Sequence, residues 1–325
     1  MRILTPTLLS LAALALTGSG CAIVLHEDPC GQPDDSSPPD THEPDDTGQP
    51  DDTGDTGPAG VWAEVAVGGT FSCGVTDEGA IQCWGASPGG ATEPPTDQTY
   101  SKLAAGEDFA CAIGEDRHLA CWGEDSDHQT TVPPSPAAAY WLGGSHGCTL
   151  NRDGVAACWG SDSDGQATPP EGVEFEALAL GGRHSCGLLA DGTVQCWGLD
   201  RDGQSSPPET LFDAITAGAN HSCGVARDGS TACWGDDDEG QSSPPGGRFT
   251  ALDAGFKFTC GVGSGQVSCW GLDRDGQTAP PEGLAYRAVD TSGSGAHACA
   301  TYTGDDSQTH ITCWGRNDDG QTDVP

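Results

Sequence analysis

The segment Arg183–Pro208, RHSCGLLADGTVQCWGLDRDGQSSPP, recurs in seven related copies, and its reading decides the fold. The Cys-Trp pair that marks it begins at Cys83, Cys121, Cys158, Cys196, Cys233, Cys269 and Cys313. Successive spacings are 38, 37, 38, 37, 36 and 44 residues. A unit this short cannot bury an apolar face alone, so a fixed period of this size signals stacked repeats sharing one continuous core.

Within the fourth copy, Phe175–Leu180 reads as a buried inner strand. Ser185–Leu189 and Thr193–Trp197 follow as two strands joined by Ala190-Asp191-Gly192, a hairpin turn signal. Gly198 ends the third strand, and Asp200–Gln204 makes a polar turn before Pro207-Pro208. Three strands, with room for a short fourth, make one antiparallel blade. The fold class is therefore all-β, a seven-bladed propeller of short blades. Val61–Val67 completes either the first blade or the last, and closing the ring removes exposed sheet edges.

Fourteen of the 16 cysteines lie in the repeats. Cys186 and Cys196 stand ten residues apart, symmetric about the turn, so they face each other across neighbouring strands. The same separation holds for Cys73–Cys83, Cys111–Cys121, Cys148–Cys158 and Cys223–Cys233. It shortens to nine in Cys260–Cys269 and lengthens to 14 in Cys299–Cys313, where a polar insert around Gly304-Asp305-Asp306 accounts for the long last spacing. One disulfide per hairpin is expected, each contributing roughly 2–3 kcal/mol in the chain-entropy account. Ligand pairs two to four residues apart, the zinc signature, are absent. Alternation along the strand sends Cys196 to one face and Trp197 to the other, which makes the seven motif tryptophans core residues; Trp62 and Trp141 fall outside the motif.

Two residues before each first Cys stand Phe71, Phe109, His146, His184, His221, Phe258 and His297. Interchange of His with Phe excludes a shared metal or catalytic role and indicates packing and hydrogen bonding. No acidic residue recurs where it could orient a Ser-His pair, so a triad is rejected. Asp162, Asp164, Asp200, Asp202, Asp273 and Asp275 put carboxylates at alternate positions before a Gly and are the candidate calcium ligands. The further ligands of an EF-hand loop do not recur, and Asp and Gly are ordinary turn formers, so the turn reading is preferred.

Charge is lopsided, with 49 acidic residues against 12 basic and a formal net charge of -37. Such a surface repels phosphate backbones, which disfavours DNA, RNA and anionic lipid headgroups. Paired cysteines in this number indicate an oxidising compartment. Residues 1–20 read as an export signal: Arg2, a short apolar run, then Thr17-Gly18-Ser19-Gly20 before Cys21. Small residues before a Cys resemble a bacterial lipobox with Cys21 as lipidation site, although Gly18 stands where Leu is usual. Cys30 is then an unpaired thiol; with Cys21 free, the two could close a loop. Residues 21–60 are expected to form a lipid-anchored, disordered acidic tether, and 61–325 the propeller.

The unit H-S-C-G-L-x-x-D-G-x-V-x-C-W-G-x-D-x-D-G-Q resembles the repeat of the regulator of chromosome condensation propeller family, across all of 61–325. Cysteines here replace apolar positions of that repeat, and Gly90-Ala91 and His128-Gln129 replace its Gly-Gln. The resemblance implies seven blades. The founding member's nucleotide-exchange activity on chromatin does not suit an exported acidic chain, whereas a secreted β-lactamase inhibitor protein of the family implies protein binding through loops of one face. The expected function is a non-enzymatic, monomeric binding module of the bacterial envelope, an outer-membrane lipoprotein or a secreted protein. It would recognise a protein or glycan and touch the membrane only through its lipid. Variation at Glu124–Asp127, Arg201, Arg274 and Gly304–Gln308 motivates that reading. The alternatives are a calcium-dependent structural or adhesive protein and an enzyme with a site at the central channel; otherwise no cofactor is expected.

Overall fold

The computed structural model describes residues 61–133 and 138–325. Residues 1–60, and with them the export signal, Cys21, Cys30 and the tether, lie outside the described residues. The described chain forms seven three-stranded antiparallel sheets, each in the order inner, middle, outer. Blade 1 comprises Trp62–Val67, Phe71–Thr76 and Ile81–Gly85; blade 2, Tyr100–Ala105, Phe109–Gly114 and Leu119–Gly123. Blade 3 comprises Ala139–Leu142, His146–Leu150 and Ala156–Gly160; blade 4, Ala177–Leu180, His184–Leu188 and Val194–Gly198. Blade 5 comprises Phe212–Ala217, His221–Ala226 and Thr231–Gly235; blade 6, Ala251–Ala254, Phe258–Gly263 and Gln266–Gly271. Blade 7 comprises Ala285–Thr291, His297–Thr303 and Thr309–Gly315. The fourth strand allowed for by the sequence is not formed among the described residues. Trp62–Val67 is the inner strand of blade 1, so closure is by packing of blade 1 on blade 7 and not by a shared sheet.

Each outer strand stops at a glycine because the chain must turn sharply there. Gly198 has φ +96°, and a Cβ would come within 2.8 Å of the Arg183 carbonyl oxygen. The seven cysteine pairs occupy directly opposed positions of middle and outer strands, and all seven are disulfides with Cα–Cα distances of 4.0 or 4.1 Å.

The core sits between blades, in seven apolar clusters, one at each boundary. In each, the first Cys of one blade meets the motif Trp of the next, as with Cys73 and Trp122, and Cys299 and Trp84 at closure. The Trp also receives a polar clasp. Its indole N–H donates to a carbonyl of the turn that follows the previous blade: Trp197 to Gln166, Trp234 to Gln204, Trp270 to Gln241, Trp314 to Gln277. Trp159 uses Gln129 and Trp122 uses Ala91, so the two units that depart from Gly-Gln keep the contact through the backbone. Gln321, after the last blade, accepts from Trp84 and Ser72 of the first, which completes the circle. Trp62, outside the motif, packs at 6.1 Å on Trp84, as Phe175, Phe212 and Phe249 do on their own blades' tryptophans.

The four histidines also act across boundaries. Nε2 of His146, His184, His221 and His297 lies 2.8–2.9 Å from the hydroxyl of Ser185, Ser222, Thr259 and Ser72, each on the next blade. Those hydroxyls donate onward to the carbonyls of Gln166, Gln204, Gln241 and Gln321. With its one hydrogen committed, each hydroxyl must accept, so each imidazole carries its proton on Nε2. Burial holds His184 down at about 3 and the other three at about 4, so all are neutral at pH 7. A histidine protonated on Nε2 cannot take the hydroxyl's proton, and Ser185 and Ser222, which adjoin His184 and His221, partner the histidine of the preceding blade instead. Both facts dispose of a nucleophile.

Candidate functional site

Strand direction assigns two faces to the disc. One carries the inner-to-middle loops and the Asp turns, joined for example by Ala86 N–H to Thr70 O at 2.9 Å. The opposite, hairpin face carries the middle-to-outer turns and the start of each next blade, joined by Tyr100 N–H to Gly79 O at 2.8 Å. Glu124–Asp127, Arg201 and Arg274 fall on the first face and Gly304–Gln308 on the second, so the variable loops singled out from sequence do not share one face.

The Asp turns are built from their own carboxylates. Asp162 accepts from Ala167 N–H at 2.8 Å and Thr168 Oγ1 at 2.7 Å, and Asp200 accepts from Ser205 N–H and Ser206 Oγ, each at 2.8 Å. Asp273 accepts from Thr278 N–H at 3.0 Å. Asp164 pairs with Arg183. The backbone N–H groups of Asp202 and Asp275 donate to the Oε1 atoms of Gln204 and Gln277. Among the described residues no group of three His, Cys, Asp or Glu side chains is gathered in a metal-binding arrangement. The carboxylates of Asp162, Asp200 and Asp273 thus cap their own turns.

The central channel is narrowed at its mouth on the Asp-turn face. Backbone bonds between neighbouring blades circle its mouth, from Gly69 N–H to Glu107 O, Glu107 N–H to Gly144 O and onward through Gly181, Gly218 and Gly255. Blade 7 spaces Asp290 from His297 by two residues more than blade 5 spaces Thr216 from His221, and this extra Ser292–Gly295 loop crosses the axis. A Cβ on Gly293 would come within 3.8 Å of backbone atoms of Ala219 and Gly182, in blades 5 and 4. The cavity beside this loop, bounded by Glu107, Gly144, Leu180 and Gly293, is about 10 Å³, room for one water. The long last repeat thus has two sources, the hairpin insert and this axial loop.

Near the axis the inner strands carry acids. The inner-strand residue opposite the first Cys is Ala66, Ala104, Trp141 or Ala179 in blades 1–4, but Thr216, Asp253 and Asp290 in blades 5–7. Asp253 accepts from Thr216 Oγ1 at 3.1 Å and from the N–H and hydroxyl of Thr291 at 2.5 and 2.9 Å; Asp290 accepts from Val67 N–H at 2.5 Å. Burial, reinforced by Asp290, pushes the Asp253 carboxyl well above the usual carboxylate range. These side chains join blades 5, 6, 7 and 1.

Among the described residues, two open grooves lie on the hairpin face, on blades 7, 1 and 2. The first, about 600 Å³, lies beside the blade 7 insert and is lined by Leu284, Tyr302, Asp305, Asp306 and His310. Tyr302 stacks on His310 at 5.4 Å, and His310 Nε2 lies 3.0 Å from Asp306. The second, about 260 Å³, lies between blades 1 and 2 and is lined by Glu64, Thr76, Asp77, Tyr100, Ser101 and Lys102. Glu64 is buried, and Oε2 accepts from Leu103 N–H at 3.1 Å while Oε1 has no hydrogen-bond partner. Burial raises its pKa. Lys102 sits in a β-bulge at φ +55°, its carbonyl held by the Tyr140 hydroxyl of blade 3. Sequence reasoning missed Glu64 and Lys102. The signal was present: their position, two before the Cys-facing residue, is Ala139, Ala177, Ala214, Ala251 and Ala288 in the other blades.

No helix among the described residues is long and apolar enough to cross a membrane. Residues 175–204 and 212–241 match the family model of the regulator of chromosome condensation (RCC1) repeat. No curated protein sequence matches the chain. Among solved structures, the ectodomain of the Physcomitrella patens receptor kinase CR4 is similar at 28% identity over 79% of this chain and 74% of that one, with a TM-score of 0.66. The CRINKLY WD40 ectodomain of Arabidopsis thaliana ACR4 is similar at 24% identity over 79% and 96%, with a TM-score of 0.63. Prp20p of Saccharomyces cerevisiae, described with its binding to Gsp1p and histones, is similar at 17% identity over 81% and 84%, with a TM-score of 0.61. Two of the chain's repeats match the RCC1 repeat, and its fold is an RCC1-like seven-bladed propeller.

Proposed function

We propose that this protein is an exported, envelope-anchored binding module that recognises a protein or glycan through the hairpin face of its disc. The observation that carries the reading is where the repeat is broken. Core, clasp and disulfide positions recur around the ring, whereas the insert at Gly304–Gln308 and the Glu64–Lys102 departure each border an open groove on the same face, on three consecutive blades. The axial cavity of about 10 Å³ offers a substrate no comparable room. Seven disulfides suit an oxidising, exported location, and the similarity to a receptor-kinase ectodomain is in keeping with recognition outside the cell. Anchoring is proposed through Cys21, whose labelling by a radioactive fatty acid, abolished in Cys21→Ser, tests it.

The recognition test is a pull-down from envelope and culture fractions with the tagged protein, in calcium and in EDTA. A partner retained in both, and lost when Asp305–Gln308 is shortened to the length of the other hairpins, supports the reading. Retention that ignores the hairpin face overturns it, and retention only in calcium returns the Asp turns to consideration as ligands.

A further inference from the structure

The groove between blades 1 and 2 is singular in the ring because two neighbouring blades replace a small residue with opposite charges. Five blades have Ala at this position, so Glu64 and Lys102 are not needed to build a blade. Both are costly to place. Glu64 is a buried carboxyl with one oxygen lacking a partner, and Lys102 adopts a left-handed backbone conformation that residues with a Cβ avoid. Bulges and backbone strain of this kind re-aim side chains where a fold presents them for use. The neighbours hold this bulge from both sides, Glu64 on the Leu103 N–H and Tyr140 on the Lys102 carbonyl. Tyr140 is a positioning residue.

Building on the reading of the hairpin face as the binding face, we infer that this groove binds a small zwitterion of the α-amino acid class. The Lys102 ammonium would take the carboxylate, and the exposed Asp77 of the wall the ammonium, while buried Glu64 beneath them holds the bulge. Charge decides between ligand classes. An anion would meet Lys102 but also the repulsion of a chain with net charge -37, and a simple cation would meet Lys102 itself. A zwitterion carries no net charge and answers both signs. The groove's 260 Å³ suits a ligand of this size, not a folded partner.

The test is calorimetric titration of the full chain with glycine, L-alanine, L-serine, L-glutamate and L-lysine at neutral pH. Saturable binding of at least one is expected, weakened about tenfold or more by N-acetylation or by amidation of that ligand. Lys102→Gly separates binding from folding, because glycine accepts φ +55° without strain. It is expected to keep or raise the melting temperature while weakening binding about tenfold or more. Asp77→Asn leaves the buried Glu64–Leu103 bond untouched and is expected to abolish the preference for the free ammonium. Absence of binding to all five amino acids, equal binding by Lys102→Gly, or a preference for an uncharged sugar overturns the inference. An envelope partner lost on shortening Asp305–Gln308, together with no binding of any of the five amino acids, would remove the inference and leave the binding-face reading standing.

Discussion

Boundaries 4/5 and 1/2 do the same mechanical job with different chemistry. At 4/5, buried His184 donates to Ser222, which donates to the Gln204 carbonyl. At 1/2, Phe71 occupies the His position and Ala110 the Ser position, and the contact is apolar. The pairing is kept all round the ring. His146, His184, His221 and His297 face Ser185, Ser222, Thr259 and Ser72, whereas Phe71, Phe109 and Phe258 precede blades with Ala110, Gly147 and Ala298 at the hydroxyl position. A histidine is never left facing a methyl or a hydrogen. Two positions on consecutive blades therefore form one unit, and the physical reason is the cost of a buried N–H with no acceptor.

The largest effect should come from mismatching that unit. Phe71→His buries an imidazole opposite Ala110, with an expected loss of about 3 kcal/mol. Adding Ala110→Ser supplies the acceptor and should restore about 1 kcal/mol or more. Urea unfolding of the single and double variants measures both. A double variant no more stable than Phe71→His alone would show that the His–hydroxyl pairing is incidental.

Disulfides should behave oppositely, since they lie within blades and ignore boundary chemistry. Replacing Cys111 and Cys121 by Ala, or Cys186 and Cys196, should each cost about 2–3 kcal/mol, since both close ten-residue loops. Calorimetry of the two double variants should give equal losses within about 0.5 kcal/mol. A clear inequality would mean that hairpin and boundary are energetically coupled.

The His boundaries should lose stability in acid. His184 is held at about 3 by burial, helped by His221 and His146, so below pH ~6.5 the unfolded chain binds a proton that the folded chain refuses. Stability is then lost as pH falls, by up to about 1.4 kcal/mol per pH unit for that residue, until the folded pKa is reached. Asp253 runs the other way: its raised pKa costs stability at neutral pH, a penalty that fades as pH falls. The variant His184→Phe with Ser222→Ala rebuilds boundary 4/5 in the image of 1/2. Its stability relative to wild type should rise steadily from pH 6.5 to pH ~4. A pH-independent difference would mean that His184 titrates normally and is not buried as described.

How much of this was readable in advance depended on distance along the chain. Cys186–Cys196 and the Cys196-Trp197 alternation are local and repeat seven times, so fold, pairing and burial follow from spacing alone. The His/Phe column was visible, and its packing role follows from the interchange, but its partner lies on the next blade, 38 residues on from His184, and no local pattern joins the two. Glu64 and Lys102 were hidden for another reason. Inner strands vary most between copies and carry bulges at different places, so the alanine column they interrupt emerges only from strand register. The axial loop shares its repeat with the longer hairpin insert, and the spacing alone does not separate the two.

The smallest effect belongs to the Asp turns, where boundary and hairpin both give way to purely local bonding. Asp162 closes its turn through Ala167 and Thr168. Asp162→Ala removes two exposed hydrogen bonds from one of seven turns, and should lower stability by only about 0.5–1 kcal/mol. Asp162→Asn keeps one acceptor for the Ala167 N–H and should lower it less. The melting temperature of the wild type should be the same in millimolar calcium and in EDTA. If calcium raised it, and Asp162→Asn abolished the rise, the carboxylate would be a ligand as well as a cap. The Asp turns, not the hairpin face, would then be the place to look for what distinguishes this ring from a plain stack of blades.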